Sequence, residues 1–514
     1  MVRSNLTSHF LIALVLTALL FLTAGRLPQA APTAVYYLLV DTVDDTYTDY
    51  TCTTLANDCS LRGAIRNANA KPADAETHII IPSGDFSIEI DGSGEDSDAT
   101  GDLDVVQRKV FITGNGMGST RLVGHTDDRV LENQGGTLTI EDLTITKGNL
   151  PAGDDGGGGI INRENSILNL DHVTVDANYV NGTGQMVDNG GGIANYGTLT
   201  IVYSIFSNNS ACNGGGIVSN SAHITTKGAL ITHNVARIVP TCGDGGGIAI
   251  INGSELLHLF YAIIQQNSAS RGGGLYYSSN TMGRIFDSTI RDNTAVSDGG
   301  GLYNDGELFL KRDTISGNQA KTFGGGAYNN NSLNLLNVTI ADNYSDAYGG
   351  GLYNNDTGGV SLIHVTIAEN TAAFDAYAYG AEAGSHTSIQ NSILASSSYG
   401  NTCHLVGTEV LTDLGYNLSS DQSCKLSTTM HDMIDTSPAL GSLAANGGLT
   451  YTMSALWGSP VIDHGNPALV LDSDQRLYYR PIDGDHDGTA VADIGAFEYE
   501  SIPWHFFYLP AILR

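Results

Sequence analysis

Gly324-Gly325-Gly326-Ala327-Tyr328-Asn329 is followed by Leu333-Asn334-Leu335-Leu336 and then by Thr339-Ile340-Ala341-Asp342-Asn343. The block before it reads Gly299-Gly300-Gly301-Leu302-Tyr303-Asn304 and ends Thr314-Ile315-Ser316-Gly317-Asn318. The block after it reads Gly349-Gly350-Gly351-Leu352-Tyr353-Asn354 and ends Thr366-Ile367-Ala368-Glu369-Asn370. Glycine triplets close at residues 159, 192, 216, 247, 274, 301, 326 and 351, so the repeat is loose at first and settles at 25 residues. Each repeat carries three short apolar pieces. None reaches the ten or so residues a helix needs, and their β-branched, alternating composition predicts strands. Strands this short hold only if every piece pairs in parallel with its equivalent one rung away. The fold class expected is therefore all-β, a right-handed parallel β-helix. Each rung adds about 4.8 Å, so eight rungs give a rod on the order of 40 Å long.

Side chains alternate across a strand, which assigns faces. With Leu302 inward, Tyr303 points out and Asn304 points in at a corner. Asn162, Asn195, Asn304, Asn329 and Asn354 then form one amide ladder. Asn178, Asn234, Asn267, Asn293, Asn318, Asn343 and Asn370 form another. Such ladders satisfy turn amides along the rod. The glycines mark a corner that needs positive φ or close approach of rungs.

Glycine is abundant, 63 of 514 residues, and only 15% of the chain is charged, which excludes a solvated disordered chain. The net charge of −31 argues against a nucleic-acid partner, which needs clustered Lys and Arg. It also disfavours an anionic membrane surface, and leaves calcium as a plausible extracellular ion. Phe10 to Ala24 is an apolar run behind Arg3, short for a membrane span, and reads as a signal peptide over 1–25 or an uncleaved anchor. That segment is the one expected membrane contact, and the chain is expected to be secreted or held at a cell surface. Six cysteines fall into local pairs: Cys52 with Cys59, Cys212 with Cys242, Cys403 with Cys424. In an exported chain these read as three disulfides.

Residues 35–150 are expected to hold an N-terminal cap and the first rungs, and 151–400 the glycine-rich repeats. Within the first region Asp58 to Asn69 predicts a short helix, N-capped by Ser60, with Leu61, Ala64, Ile65 and Ala68 on one face. It would cover the open end of the rod, where bare strands and core otherwise meet water. Beyond 400 the period fades, and 401–500 is expected to be an irregular C-terminal cap with an aromatic tail over 501–514.

These segments carry a resemblance. Cys59-Ser60-Leu61-Arg62-Gly63-Ala64-Ile65 resembles the Cys-Ser-Leu-Arg-Glu-Ala motif of exported bacterial proteins, with Gly63 in place of the Glu. The glycine repeats resemble right-handed β-helix and chlamydial polymorphic outer-membrane protein repeats. Leu440 to Glu498 resembles the choice-of-anchor Q module. The resemblance implies a parallel β-helix and export. It implies little about activity, because β-helices host many functions.

Several groups bear on chemistry. Asp483-Gly484-Asp485-His486-Asp487-Gly488, with Asp493 further on, matches the opening of a calcium loop. Its twelfth position is Ile494 rather than Glu, so it is no EF-hand, and an Asp-Gly turn is the plainer alternative. A second acidic run, Glu95, Asp96, Asp98, Asp102 and Asp104, is a second calcium candidate, with a solvated loop as the plainer expectation. Tyr276, Tyr303, Tyr328 and Tyr353 share one repeat position and predict an outward aromatic stripe. It would stabilise the rod by stacking, or offer rings to sugars or a protein partner. For catalysis the candidates by position are Asp287, Arg291, Asp292, Arg312 and Asp313. The Asp292 position is acidic in other repeats, as Asp342 and Glu369, which points to structure. His172, His233 and His364 fit turn or surface roles. The reading is a surface or secreted binding and adhesion protein, contacting glycans or neighbouring surface proteins along the rod, with no catalytic set. A β-helix polysaccharide lyase or hydrolase and a structural envelope component are the alternatives.

Overall fold

A computed structural model of the chain describes residues 34–92, 98–124, 127–151, 155–181, 189–237, 242–253, 256–396, 400–406, 410–469 and 471–503. The expected signal segment 1–25, Glu95, Asp96 and the tail from Trp504 lie outside these residues. The chain winds as an all-β parallel solenoid. One sheet has 12 strands, another 9, and a third of 25 strands forms two consecutive faces of each coil. Every strand ladder is parallel. One coil runs Leu302–Asn304, Glu307–Lys311, Thr314–Ser316 and Gln319–Ala320. It lies in register on the next, with Leu302 facing Ala327, Tyr303 facing Tyr328 and Asn304 facing Asn329. Leu308, Leu310, Ile315 and their equivalents fill one continuous apolar core. The expected faces are therefore the observed ones.

Both explanations for the glycines hold within a single triplet. Gly299 is left-handed with φ 66°. A Cβ on Gly300 or Gly301 would meet the carbonyl oxygen of Gly325 or Gly326 at 2.4 and 2.7 Å. The second asparagine ladder forms whole and the first in two separate stretches. Asn304 Nδ2 donates to Asn329 Oδ1, and Asn329 Nδ2 to Asn354 Oδ1, each at 2.8 Å. Asn133, Asn162 and Asn195 form the early part of the same corner. Ser219, Ile250 and Tyr277 occupy the register positions between. The second ladder is unbroken from Asn178 to Asn370, because Asn209 bridges the gap that the sequence reading left. Cys212–Cys242 joins neighbouring coils with a Cα separation of 5.5 Å, and Cys52–Cys59, a local bridge ahead of the helix, and Cys403–Cys424 also pair.

The predicted helix spans Leu61–Asn69, and Ser60 Oγ accepts the Gly63 N–H at 3.0 Å. Its apolar face joins the rod core. Arg62 is fully buried, pairing with Asp45 at 2.7 and 3.0 Å and donating to the Gly101 and Asp102 carbonyls. Gly63 stands against the main chain: a Cβ there would lie 2.0 Å from Asp49 O. The C-terminal region divides in two. Cys424 and Leu426 belong to the end of the core, and Met433 bridges to Leu418. From 437 to 503 the chain is irregular as expected, but it runs back along the side of the rod. Thr450 Oγ1 donates to Arg312 O, Gln475 Nε2 to Asp313 O, and the Ala496 N–H to Thr366 Oγ1. A repeat pattern shows which faces stack and says nothing about what lies against their outer sides.

Candidate functional site

Register along the 12-stranded sheet sets one outward column: Asp104, Glu132, Ile161, Ala194, Val218, Ala249, Tyr276, Tyr303, Tyr328, Tyr353. The four tyrosines stack as a ladder, with centroids 5.3, 4.8 and 5.8 Å apart. Arg271 lies 5.0 Å over both Tyr276 and Tyr303, and Phe323 stacks on Tyr353 at 4.5 Å. The stripe faces away from the core, yet its members are only 2–8% exposed. Their ring faces are spent on one another and on the flanking loops. Burial raises the hydroxyl pKa of all four.

The acidic end of that column is the least repetitive part of the rod. Asp98, Asp102 and Asp104 are buried, which corrects the expectation of a solvated loop. Asp98 accepts from the Asp104 N–H at 2.7 Å and from Asn69 Nδ2 at 2.8 Å, so the run is folded against the capping helix. Arg129 Nη1 donates to Glu132 Oε2 at 2.8 Å and stands 3.6 Å from Asp102 Oδ2. Burial pushes the Asp102 carboxyl up to about 7, against the opposing pull of Arg129 and with the help of the Asp128 and Glu132 charges. Arg163 Nε donates to Glu132 Oε1 at 2.6 Å, and its Nη1 to Asp155 at 2.5 Å. This network walls a cavity of about 710 Å³, whose other polar lining comes from Gln107, Gln134, Glu164 and Asn165. Sequence reasoning missed Glu132, Arg163 and the amides around them. Asp104 and Glu132 are register partners separated by 28 residues, and in the loose early repeats no spacing announces it. A second cavity, of about 340 Å³, opens on the 25-stranded sheet between Arg284, Phe286, Glu307 and Phe309.

The expected calcium loop is only partly assembled. Asp483 and Asp485 come together, and Asp463 joins them, with one carboxylate oxygen from each within 4.8 Å of the others. Asp463 Oδ2 accepts the Gly484 and Asp485 N–H groups at 2.7 Å, while Asp483 Oδ1 is buried without a hydrogen-bond partner. Asp487 turns instead to cap the Thr489 N–H at 2.8 Å. Asp493 is buried on the other side, accepting the Asp463 N–H, and burial together with Glu498 raises its carboxyl. The oxygen-only donor set and the orphaned Oδ1 fit a hard cation such as calcium.

The positional candidates for catalysis are engaged elsewhere. Asp287 and Arg312 form a two-pronged ion pair at 2.7 Å. Asp313 is fully buried, accepts the Ser288 N–H, and is covered by Gln475; burial raises its carboxyl well above the usual range. Arg291 donates to Gln265 and stands 3.9 Å from Asp292. His172 meets Asp171 and His233 meets Thr232 near the surface. His364 sits in a turn, φ 51°, but is completely buried, with Arg480 Nη1 and Asn391 Nδ2 each 2.9 Å from its ring nitrogens.

No family model matches the chain, and no curated protein matches it by sequence. Solved structures do. The mannuronan C-5 epimerase AlgE4 A-module of Azotobacter vinelandii is 15% identical over 73% of this chain and 97% of its own, with a TM-score of 0.41. The AlgE6 A-module of the same organism is 14% identical over 69% and 95%, at 0.36. Pectate lyase Pel9A is 11% identical over 92% and 98%, at 0.37. At these identities and TM-scores the likeness says nothing of activity, and the fold rests on the strand register, which makes the chain a parallel β-helix.

Proposed function

We propose that this chain is an exported binding protein that holds a glycan at the surface of its rod, with the cavity at Gln107, Gln134, Arg163 and Glu164 as the principal grip. One observation carries the reading. A cavity of about 710 Å³ is lined by planar amide, guanidinium and carboxylate groups, and its Arg163 is fixed from behind by Glu132 and Asp155. Preset planar polar groups match sugar hydroxyls without an ordering cost at binding. Three disulfides suit an oxidising compartment, and no helix among the described residues is long and apolar enough to cross a membrane. The tyrosine ladder belongs to the architecture in this reading, because its rings are already covered. Calcium has a structural part, tying Asp463 to the loop at Asp483 and Asp485.

The test is a screen of immobilised polysaccharides, with and without calcium, scoring binding and released sugar together. Binding that falls with Gln107→Ala and Glu164→Ala, without cleavage, supports the reading. Released sugar moves the protein to the carbohydrate-active alternative, with Glu132 the buried carboxylate at the cavity wall. Silence in both refutes a glycan role.

A further inference from the structure

Two cavities open on the rod's outer surface, and one column of side chains runs past both. One outward column of the 25-stranded sheet reads Thr139, Asn169, Thr200, Thr225, His258, Arg284, Phe309 and Asn334 from rung to rung. It continues the stacked Tyr37, His78 and Phe111 of the first rungs and passes the strand that follows Gln134 and Gly135, on the rim of the first cavity. It then reaches the second cavity, about 340 Å³, lined by Arg284, Phe309 and Asn334 together with Met282, Phe286 and Glu307, before running on as Ser361, Ser388 and Thr412. Between the two, the side chains are small and polar.

The second cavity has the marks of a site rather than of packing. Groups that hold the rod together recur on every rung, as the glycines and asparagines do. Arg284 and Phe309 are followed in their column by Asn334, Ser361 and Ser388, and Phe286 is matched by Phe260 on the rung before and replaced by Lys311 on the rung after. Phe286 stacks on Phe260 at 5.4 Å and meets Phe309 edge-on at 5.9 Å, leaving a bent aromatic wall beside the cavity. Met282 is 56% exposed at its mouth. Arg284 is exposed and makes no ion pair among the described residues, in a chain of net charge −31. His258 Nε2, one rung away, is buried without a hydrogen-bond partner. The local backbone makes room for this arrangement. Gly283 stands where its neighbours carry Leu257 and Leu308, and Tyr277 fills the space from within: a Cβ on Gly283 would meet its hydroxyl at 2.5 Å.

Resting on the glycan reading above, we propose that the Arg284–Phe309 cavity is a second subsite for the same ligand, an extended uncharged polysaccharide lying parallel to the rod axis across Asn169, Thr200 and Thr225. The Phe286 and Phe309 rings would take the C–H face of a sugar, and Arg284, Glu307 and Asn334 its hydroxyls. Polyanionic chains are disfavoured by the net charge and by Glu164 and Glu307 at the two cavities. The five rungs from Thr139 to Arg284 separate the subsites by about 24 Å.

The separation makes the proposal testable by chain length. Calorimetry would use the full chain with short and long cello-, xylo-, manno- and chito-oligosaccharides. For the series that binds, affinity should step up by about a hundredfold once the ligand spans both cavities. Phe309→Ala and Arg284→Ala should each remove that step and leave short-ligand binding at the first cavity intact, with circular dichroism showing an unchanged fold. Affinity that rises smoothly with length, or a step untouched by both variants, overturns the second subsite while leaving the first in place. Absence of binding by every series to the unaltered chain overturns both.

Discussion

Replacing Asn318 by Ala removes one amide from the middle of the longer ladder, and its cost can be worked bond by bond. Asn318 Oδ1 accepts from both the main-chain N–H and the Nδ2 of Asn293, each at 3.0 Å. Its Nδ2 donates to Asn343 Oδ1 and to Ile290 O, each at 2.9 Å. After truncation Asn293 Nδ2 keeps the Ile264 carbonyl, and Asn343 Oδ1 keeps the Asn318 main-chain N–H. The Asn293 N–H keeps nothing and stays buried. One stranded donor at about 1–3 kcal/mol, added to net losses near 1 kcal/mol for each of the three remaining bonds, gives about 4–6 kcal/mol. A solenoid opens rung by rung, so the loss should be local. Hydrogen exchange read by mass spectrometry should show protection falling over Thr289–Ala295 and Thr314–Ala320 and holding in the first coils. Asn334→Ala, one rung on but facing outward, should change stability by no more than about 0.5 kcal/mol. A loss below about 1 kcal/mol for Asn318→Ala, or equal effects at both positions, would refute the claim that the ladder holds the rungs.

Gly300→Ala should lower the melting temperature sharply, because its Cβ would sit 2.4 Å from Gly325 O, whereas Gly118→Ala, with nothing within 4 Å, should leave it unchanged. His364 is held neutral by burial and by the Arg480 charge, so its folded pKa lies well below the unfolded value. Above about pH 6.5 it therefore costs nothing; as pH falls further the unfolded chain gains a proton that the folded chain refuses, and stability drops by about 1.4 kcal/mol per unit. Exchange protection of residues 473–498 should weaken with acid in the unaltered chain more than in His364→Asn, and equal acid sensitivity would count against this. The raised carboxyls of Asp493 and Glu498 act in the opposite sense, which is why the comparison with the variant is needed. Calcium should raise the melting temperature, and Asp485→Asn should abolish the rise; a rise that survives the substitution would place the ion elsewhere.

What was legible in the sequence was whatever recurs. The glycine triplets, the Leu-Tyr-Asn corner and the Thr-Ile-x-x-Asn pieces each name a face, and register carries those names along the rod. What was hidden lies where a position is used once. Glu132 meets Asp104 through a register that the irregular early spacings conceal. Asp463 comes to Asp483 across 20 residues of unpatterned chain, while Asp493, which the spacing favoured, is turned inward beside Glu498. The tyrosines were placed on the correct side of their strands, but alternation says only which way a side chain leaves the sheet. It does not register Phe323 and Tyr348, loop residues that close over them. Gly63 departs from the motif it resembles for a reason visible only in space: the Asp49 carbonyl fills the volume a side chain would need.

The longer ladder also has a direction. From Asn178 to Asn370 each side-chain amide donates to the next one along the chain and never to the one before. A coil can join this series only if it brings an acceptor for its predecessor and a donor for its successor at the same corner, which a whole coil does and a fraction of one does not. Excising Leu302 to Gly326 would join Gly301 to Ala327, set Asn293 beneath Asn343 and keep every face in phase. Excising one residue fewer would rotate the succeeding side chains between core and solvent. The gene behind such a rod can lengthen or shorten it in whole coils, by duplication or loss of one unit, and is closed to smaller steps within them.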